Sequence, residues 1–97
     1  MMRFIHIAGS RAFYRADAAD YLSAEGNNVR IVALSLTVTS GDVVLGSGSD
    51  AAVIGNDGTS VDFWLSAGSV NSRLLMTITL TNTESFPYNI DIAVRRA

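Results

Sequence analysis

Leu74-Leu75-Met76-Thr77-Ile78-Thr79-Leu80-Thr81-Asn82 is the most regular stretch of the chain. Its even positions 74, 76, 78 and 80 are apolar, and 77, 79 and 81 are all Thr. A side-chain period of two with β-branched residues on the wet side is the pattern of a half-buried strand in an antiparallel sheet. A second alternation follows in Tyr88-Asn89-Ile90-Asp91-Ile92-Ala93-Val94-Arg95, again with even positions turned inward. Thr83 to Pro87 reads as the loop between them, with Pro87 just ahead of the second strand, where a missing N–H does least harm. The two segments predict a hairpin.

Toward the N-terminus, Val32, Leu34, Leu36 and Val38 alternate with Ala33, Ser35, Thr37 and Thr39, while Val29 and Ile31 fall on the opposite phase. A one-residue slip would turn the whole face outward, so a bulge near Ile31 and Val32 is expected. Ser40-Gly41-Asp42 reads as a turn into Val43-Val44-Leu45, and Gly46 to Asp50 as a loop. Ala51 to Ile54 reads as a short strand, followed by the turn Gly55-Asn56-Asp57-Gly58. Val61, Phe63 and Leu65 then alternate with Asp62, Trp64 and Ser66, which aims Trp64 away from the core. About seven short strands separated by turn signals predict an all-β, Ig-like antiparallel sandwich of two sheets.

Residues 1–28 depart from this pattern. Phe4, Ile5 and Ile7 have the composition of a strand, but Phe13, Tyr14, Tyr21 and Leu22 lie among Arg, Asp and Ala. We therefore expect an N-terminal arm over 1–16 and a single sandwich domain over 17–97. Asp17 to Glu25 reads as one short helical turn, capped by Asp17 and stopped by Gly26.

A length of 97 residues holds one domain with a modest core. Hydrophobic residues make up 48% and charged residues 16%, against about 25% charged in an average soluble domain, which excludes charge-driven disorder. The missing polarity comes from 11 Ser, 7 Thr and 6 Asn, a surface suited to lying against other molecules. All seven cations are Arg, scattered against nine acids for a net charge of −2, so the concentrated basic face of a nucleic-acid binder is not expected. The absence of Cys removes disulfides, thiol catalysis and thiolate metal sites. No apolar run reaches the roughly 18 residues of a membrane span. Arg11 and Arg15 interrupt the start before a signal-peptide core develops, so the chain is expected to be made and kept in the cytoplasm, or to leave it by a route other than secretion.

No catalytic set emerges from the spacing. His6 is the lone His, on a short strand expected at a surface or interface. Asp50, Asn56, Asp57 and Asp62 suggest loop oxygens for calcium, but turn chemistry accounts for the same residues and the twelve-residue calcium loop is missing. Gly46-Ser47-Gly48 lacks the following helix that a dinucleotide site needs. No catalytic residue, metal or cofactor is expected. Trp64 is read either as a cover for the sheet or as an interface anchor, where Trp and Arg are enriched.

Two segments resemble a known family. Tyr21-Leu22-Ser23-Ala24-Glu25-Gly26-Asn27-Asn28-Val29, leading into the strand Val32 to Val38, is similar to the opening of small tailed-phage structural proteins. Val61-Asp62-Phe63-Trp64-Leu65-Ser66-Ala67-Gly68-Ser69-Val70-Asn71-Ser72, leading into the Thr-rich strand, resembles the same group's Trp-Leu-Ser-Gly-Gly element, with Ser69 in place of the second Gly. The group is the phage fiber-tail adaptor family, and the likeness covers roughly Asp17 to Val94. It implies an Ig-like, non-enzymatic virion protein joining a tail fiber or spike to the tail, present in several copies and partnered by other tail, fiber or capsid subunits. From the scattered charge and the short apolar runs, no nucleic-acid or membrane partner is expected. Phe4, Ile5, Phe13, Tyr14, Tyr21, Trp64, Arg95 and Arg96 are the expected partner-interface residues. The rival readings are a capsid decoration protein of the same fold and a host-glycan-binding module built on Trp64.

Overall fold

The structure is a computed structural model that describes residues 2–19, 22, 26 and 28–96. Its central hairpin is the one read from the sequence: β7 (Ser72–Leu80) pairs antiparallel with β8 (Ser85–Arg95), Met76 opposite Tyr88 and Leu74 opposite Ile90. Leu74, Met76, Ile78, Leu80, Ile90 and Ile92 are all at most 1% exposed. The even positions of both strands thus share one inward face, because an antiparallel register that matches even to even keeps the pleats in phase. The turn between the strands is tighter than expected. Thr83 takes φ 69°, its N–H donates to Leu80 O at 2.9 Å, and Asn82 Oδ1 accepts from Glu84 N–H at 3.1 Å. Pro87 accordingly lies inside β8, opposite Thr77. At that level the next strand, which joins β8 from Ile90 onward, has not yet begun, so one side of β8 is an edge where proline is tolerated.

β3 (Ile31–Ser40) pairs antiparallel with β7, and its register shifts between Ile31 and Ala33. This is the expected bulge. It places Ile31, 4% exposed, and the half-buried Leu34, Leu36 and Val38 on the same inward side. Val32 differs from its expected inward phase, because it is the extra residue of the bulge and is 56% exposed.

β1 (Met2–Ile7) lies parallel to β8 and completes a four-stranded sheet of order β1-β8-β7-β3. The second sheet has order β2-β6-β4, formed by β2 (Ala12–Asp17), β6 (Ser60–Ala67) and β4 (Val43–Leu45), with β5 (Val53–Ile54) also pairing with β6. A 3₁₀ turn, Gly48–Asp50, links β4 to β5. The result is an all-β sandwich of two packed sheets, as predicted, with one strand pairing parallel.

Residues 1–16, expected as an arm, supply most of one edge strand to each sheet. The reason is their buried alternate positions. Phe4 from β1 and Tyr14 from β2 meet Phe63 of β6, with ring centroids 5.8 and 5.7 Å away, so three aromatic rings pack between the sheets. The accessible surface of 5493 Å² sits close to the roughly 5,400 Å² expected of a folded chain this size. Most of the helical turn read over 17–25, including Tyr21, falls outside the described residues. Asp17 Oδ1 accepts from Ala19 N–H at 2.9 Å, the bond expected of an N-cap, and Leu22 N–H donates to Ala18 O at 2.9 Å.

His6 also differs from its expected surface position. It is fully buried, with Nε2 2.9 Å from Ala67 O and Nδ1 2.7 Å from the Tyr14 hydroxyl. A carbonyl only accepts, so Nε2 carries the proton, and the Tyr14 hydroxyl sits between Nδ1 and the Ile5 carbonyl, 3.1 Å from Ile5 O. Ala67 itself sits at φ 57° and Gly68 at φ 96°, where a Cβ would come within 2.9 Å of Val43 Cγ1. Only glycine fits that turn.

Candidate functional site

The outward side of the β2-β6-β4 sheet gathers the most interface-like chemistry on the surface. It follows from register: β2 pairs antiparallel with β6 so that Phe13 stands opposite Trp64 and Arg15 opposite Asp62. Ala12, Tyr14 and Ala16 face in, so Arg11, Phe13, Arg15 and Asp17 face out. The Phe13 and Trp64 rings meet edge to face, with centroids 5.4 Å apart. Arg11 lies over the indole, its guanidinium carbon 4.0 Å from the ring centroid.

The loop after β4 holds Arg11 in place. Gly46 N–H donates to Trp64 O at 2.9 Å, continuing the β4–β6 ladder, and then the chain turns through Gly48–Asp50. A Cβ at Gly46 would collide with Asp50, so the closeness of this turn depends on glycine. Asp50 then accepts two hydrogen bonds from Arg11, Nε to Oδ2 at 2.8 Å and Nη2 to Oδ1 at 2.6 Å. This fork geometry is specific to Arg. The Arg11 hydrogen bonds hold the Asp50 carboxyl below its ordinary range. Arg15 repeats the pattern on Asp62, at 2.7 and 3.1 Å. Phe13 is 47% exposed, and Val44 and Val53 on the far side of β6 are 52% and 54% exposed. The face therefore has an aromatic and aliphatic centre with ion pairs around it, which is the anatomy of a protein-binding surface.

Among the described residues, the structure brings Phe13 and Trp64 of those expected at an interface together on this outward face. Phe4 and Tyr14 are half-buried between the sheets, with centroids 5.5 Å apart. Ile5, 63% exposed, and Arg95 lie on the outward side of the other sheet, and Arg96 is exposed at the end of the chain. Tyr21 lies outside the described residues. Arg11, Val44 and Val53 are not among the residues the sequence points to at an interface, and Asp50 stands out there only as a loop oxygen for calcium. The signal for Arg11 was present, since Arg11 to Asp17 alternates polar or aromatic odd positions with Ala12, Tyr14 and Ala16. Asp50 became a partner only through a contact between loops far apart in the chain.

The loop acids do not form a cation site. Asp50 and Asp62 are committed to arginines, and Asp57 accepts from Thr59 N–H at 3.0 Å, which lowers its pKa. Among the described residues no group of three or more His, Asp or Glu side chains gathers as for a metal ion. Asp42 caps the turn before β7, accepting from Ser69 N–H, the Ser69 hydroxyl and Val70 N–H. No helix among the described residues is long and apolar enough to cross a membrane. No family model matches the chain, and no curated protein matches it in sequence.

Proposed function

We propose that this chain is a non-enzymatic structural protein of a phage virion, an adaptor that joins a tail fiber or spike to the tail. The observation that carries the reading is the Phe13–Trp64 pair on the outward sheet face, with Arg11 over the indole. Trp and Arg are the residue types that anchor protein interfaces, and aromatic pairs on a rigid strand scaffold lose little conformational entropy on docking. The finer assignment, phage tail, rests on the resemblance of the segments around Tyr21 and Trp64 to the fiber-tail adaptors. The glycan-binding alternative is less well supported, because Arg11 already covers one face of the indole on which a sugar ring would stack.

A photo-crosslinking residue at position 13 tests the proposal in assembled particles. The expected result is a crosslink inside the tail, to a tail or fiber protein or to the neighbouring copy of this chain there, with the chain present in tens of copies or fewer. Hundreds of copies with crosslinks to a shell protein would favour the capsid decoration reading. Absence from purified particles, or sugar binding lost only in Trp64→Ala, would overturn the proposal.

A further inference from the structure

The outward faces of the two sheets carry opposite charge. On the β1-β8-β7-β3 sheet, Asp91 of β8 is the register partner of both Arg3 on β1 and Arg73 on β7. Arg73 Nε donates to Asp91 Oδ1 at 2.9 Å, and among the described residues Arg3 has no carboxylate of its own. Arg95 lies further along the same side of β8, opposite Ile7. Three arginines against one aspartate leave an excess of two positive charges. Arg3, Arg73, Asp91, Asn71 and Ala93 line a depression of about 350 Å³ in which two arginines outnumber one aspartate. Ala93 is only 3% exposed although it stands outside the core cluster, so longer neighbours wall it in.

On the β2-β6-β4 sheet the balance reverses. Arg11 and Arg15 are each held by an aspartate, Asp50 and Asp62. Asp57 shares a depression with Arg15 and Asp62, and Asp17 ends β2 on the outward side. Both Asp57 and Asp17 lie near enough to act electrostatically on Arg15. Two arginines against four aspartates leave an excess of two negative charges.

Stacked sheets sit about 10 Å apart, close to the Debye length of about 8 Å at physiological salt. Charges on facing sheets would therefore act on each other without full screening. Pairing like faces opposes like charge; pairing unlike faces brings the cationic depression to Asp17 and Asp57. Apolar contact is available on both sides, from Ile5 and Ile7 on one face and Phe13, Val44 and Val53 on the other.

We infer that a second copy of this chain is the partner of these faces, docked head to tail, with the β1-β8-β7-β3 face of one copy on the β2-β6-β4 face of the next. A heterologous contact of this kind propagates into a ring or a filament. The inference takes its multi-copy setting from the assembly reading above and its geometry from the charge distribution. The strand rows of β2, β6, β4 and β5, of six, eight, three and two residues, offer roughly 300 Å² per copy, less than half of a standard interface. Association in free solution is thus weak, and a template that holds copies side by side makes it firm.

Sedimentation equilibrium of the full chain up to about millimolar concentration tests this. The wild type should form a concentration-dependent series of sizes that weakens about tenfold or more between low and high salt. Arg3→Glu with Arg95→Glu spoils one face, and Val44→Arg with Val53→Arg spoils the other. Each variant alone should stay monomeric, and the mixture should stop at a one-to-one dimer, because each partner keeps one live face. Thermal melts check that the variants fold, and the salt series stands independently of them. A wild type that remains monomeric, salt-insensitive association, or a one-face variant that still dimerises would overturn the inference. A chain that stacks in solution but is absent from particles would sink the proposed function and leave this inference standing, and the converse holds for a monomer found in particles.

Discussion

Arg11 lies 4.0 Å above the centroid of the Trp64 indole, and the same guanidinium grips Asp50 through two hydrogen bonds of 2.8 and 2.6 Å. One side chain thereby ties the lead-in to β2, the middle of β6 and the 3₁₀ turn. Planarity is what lets it stack and fork at once, which a lysine ammonium cannot do. Trp64 is the single Trp, so indole fluorescence reports the surroundings of this one ring, Arg11 and Phe13 included. Arg11→Lys should raise acrylamide quenching of Trp64 nearly as much as Arg11→Ala does. Unchanged quenching in both would show that the stack does not persist in solution.

Acid should destabilise the fold through its aspartates. Asp42, Asp50 and Asp57 are all held below the ordinary carboxylate range, by Ser69, by Arg11 and by Thr59 respectively. A carboxyl whose folded pKa is depressed contributes stability that is fully present above its unfolded value, about 3.9, and is lost as pH falls through the folded value. The melting temperature should hold between about pH 7 and 5 and decline below about pH 4. Asp42→Asn should flatten part of that decline. A melting temperature flat down to about pH 2.5 would contradict the assignment.

His6 bridges β1 to the end of β6, with Ala67 O on one ring nitrogen and the Tyr14 hydroxyl on the other. Burial pushes the Tyr14 pKa up, which keeps its hydroxyl protonated and able to donate. His6→Phe removes both imidazole bonds, while Gly9 N–H still reaches Ala67 O and the Tyr14 hydroxyl still reaches Ile5 O, so the cost should be about 1–3 kcal/mol. The expected drop in melting temperature is about 5 °C or more. A variant within a degree or two of the wild type would mean that water or another donor replaces the imidazole.

The bulge makes neighbouring residues unequal. Ile31→Ala should cost about 2–4 kcal/mol, as for a large apolar residue removed from a core, whereas Val32→Thr on the exposed side should stay within about 0.5 kcal/mol. Urea titration of both variants reads the difference. Comparable losses at the two positions would place the register shift elsewhere.

Deleting residues 1–16 should abolish cooperative folding and not merely a docking arm. The deletion removes β1 and nearly all of β2, and with them the Phe4, His6 and Tyr14 contacts that close one side of the sandwich. A truncated chain with a sharp thermal transition and dispersed amide resonances would show that residues 1–16 are dispensable to the fold.

The legible parts of this protein were those where a single period governs burial. In β7 and β8 the alternation from Leu74 to Leu80 and from Tyr88 to Val94 was enough to predict strand, hairpin and inward face, because burial on one side of a pleat leaves a signature in the residues themselves. The bulge near Ile31 was legible for the same reason, as a break in phase. β1 and β2 were harder. Met2, Phe4 and His6 include one polar inward residue, and Ala12 and Ala16 are too small to mark an inward side, so the alternation through residues 2–17 is faint.

From the sequence by itself came the β-sandwich class, the inward faces of its hairpin and the outward aim of Trp64, all consequences of local periodicity. Only the tertiary structure decided that β1 runs parallel beside β8, that His6 is a core residue, and that Arg11 reaches across to Asp50 and Trp64. It also decided how charge divides between the two outward faces. These depend on which strands become neighbours, and neighbourhood between residues 39 positions apart, as Arg11 and Asp50 are, is set by the packing of the whole chain. No local pattern of residue types encodes it.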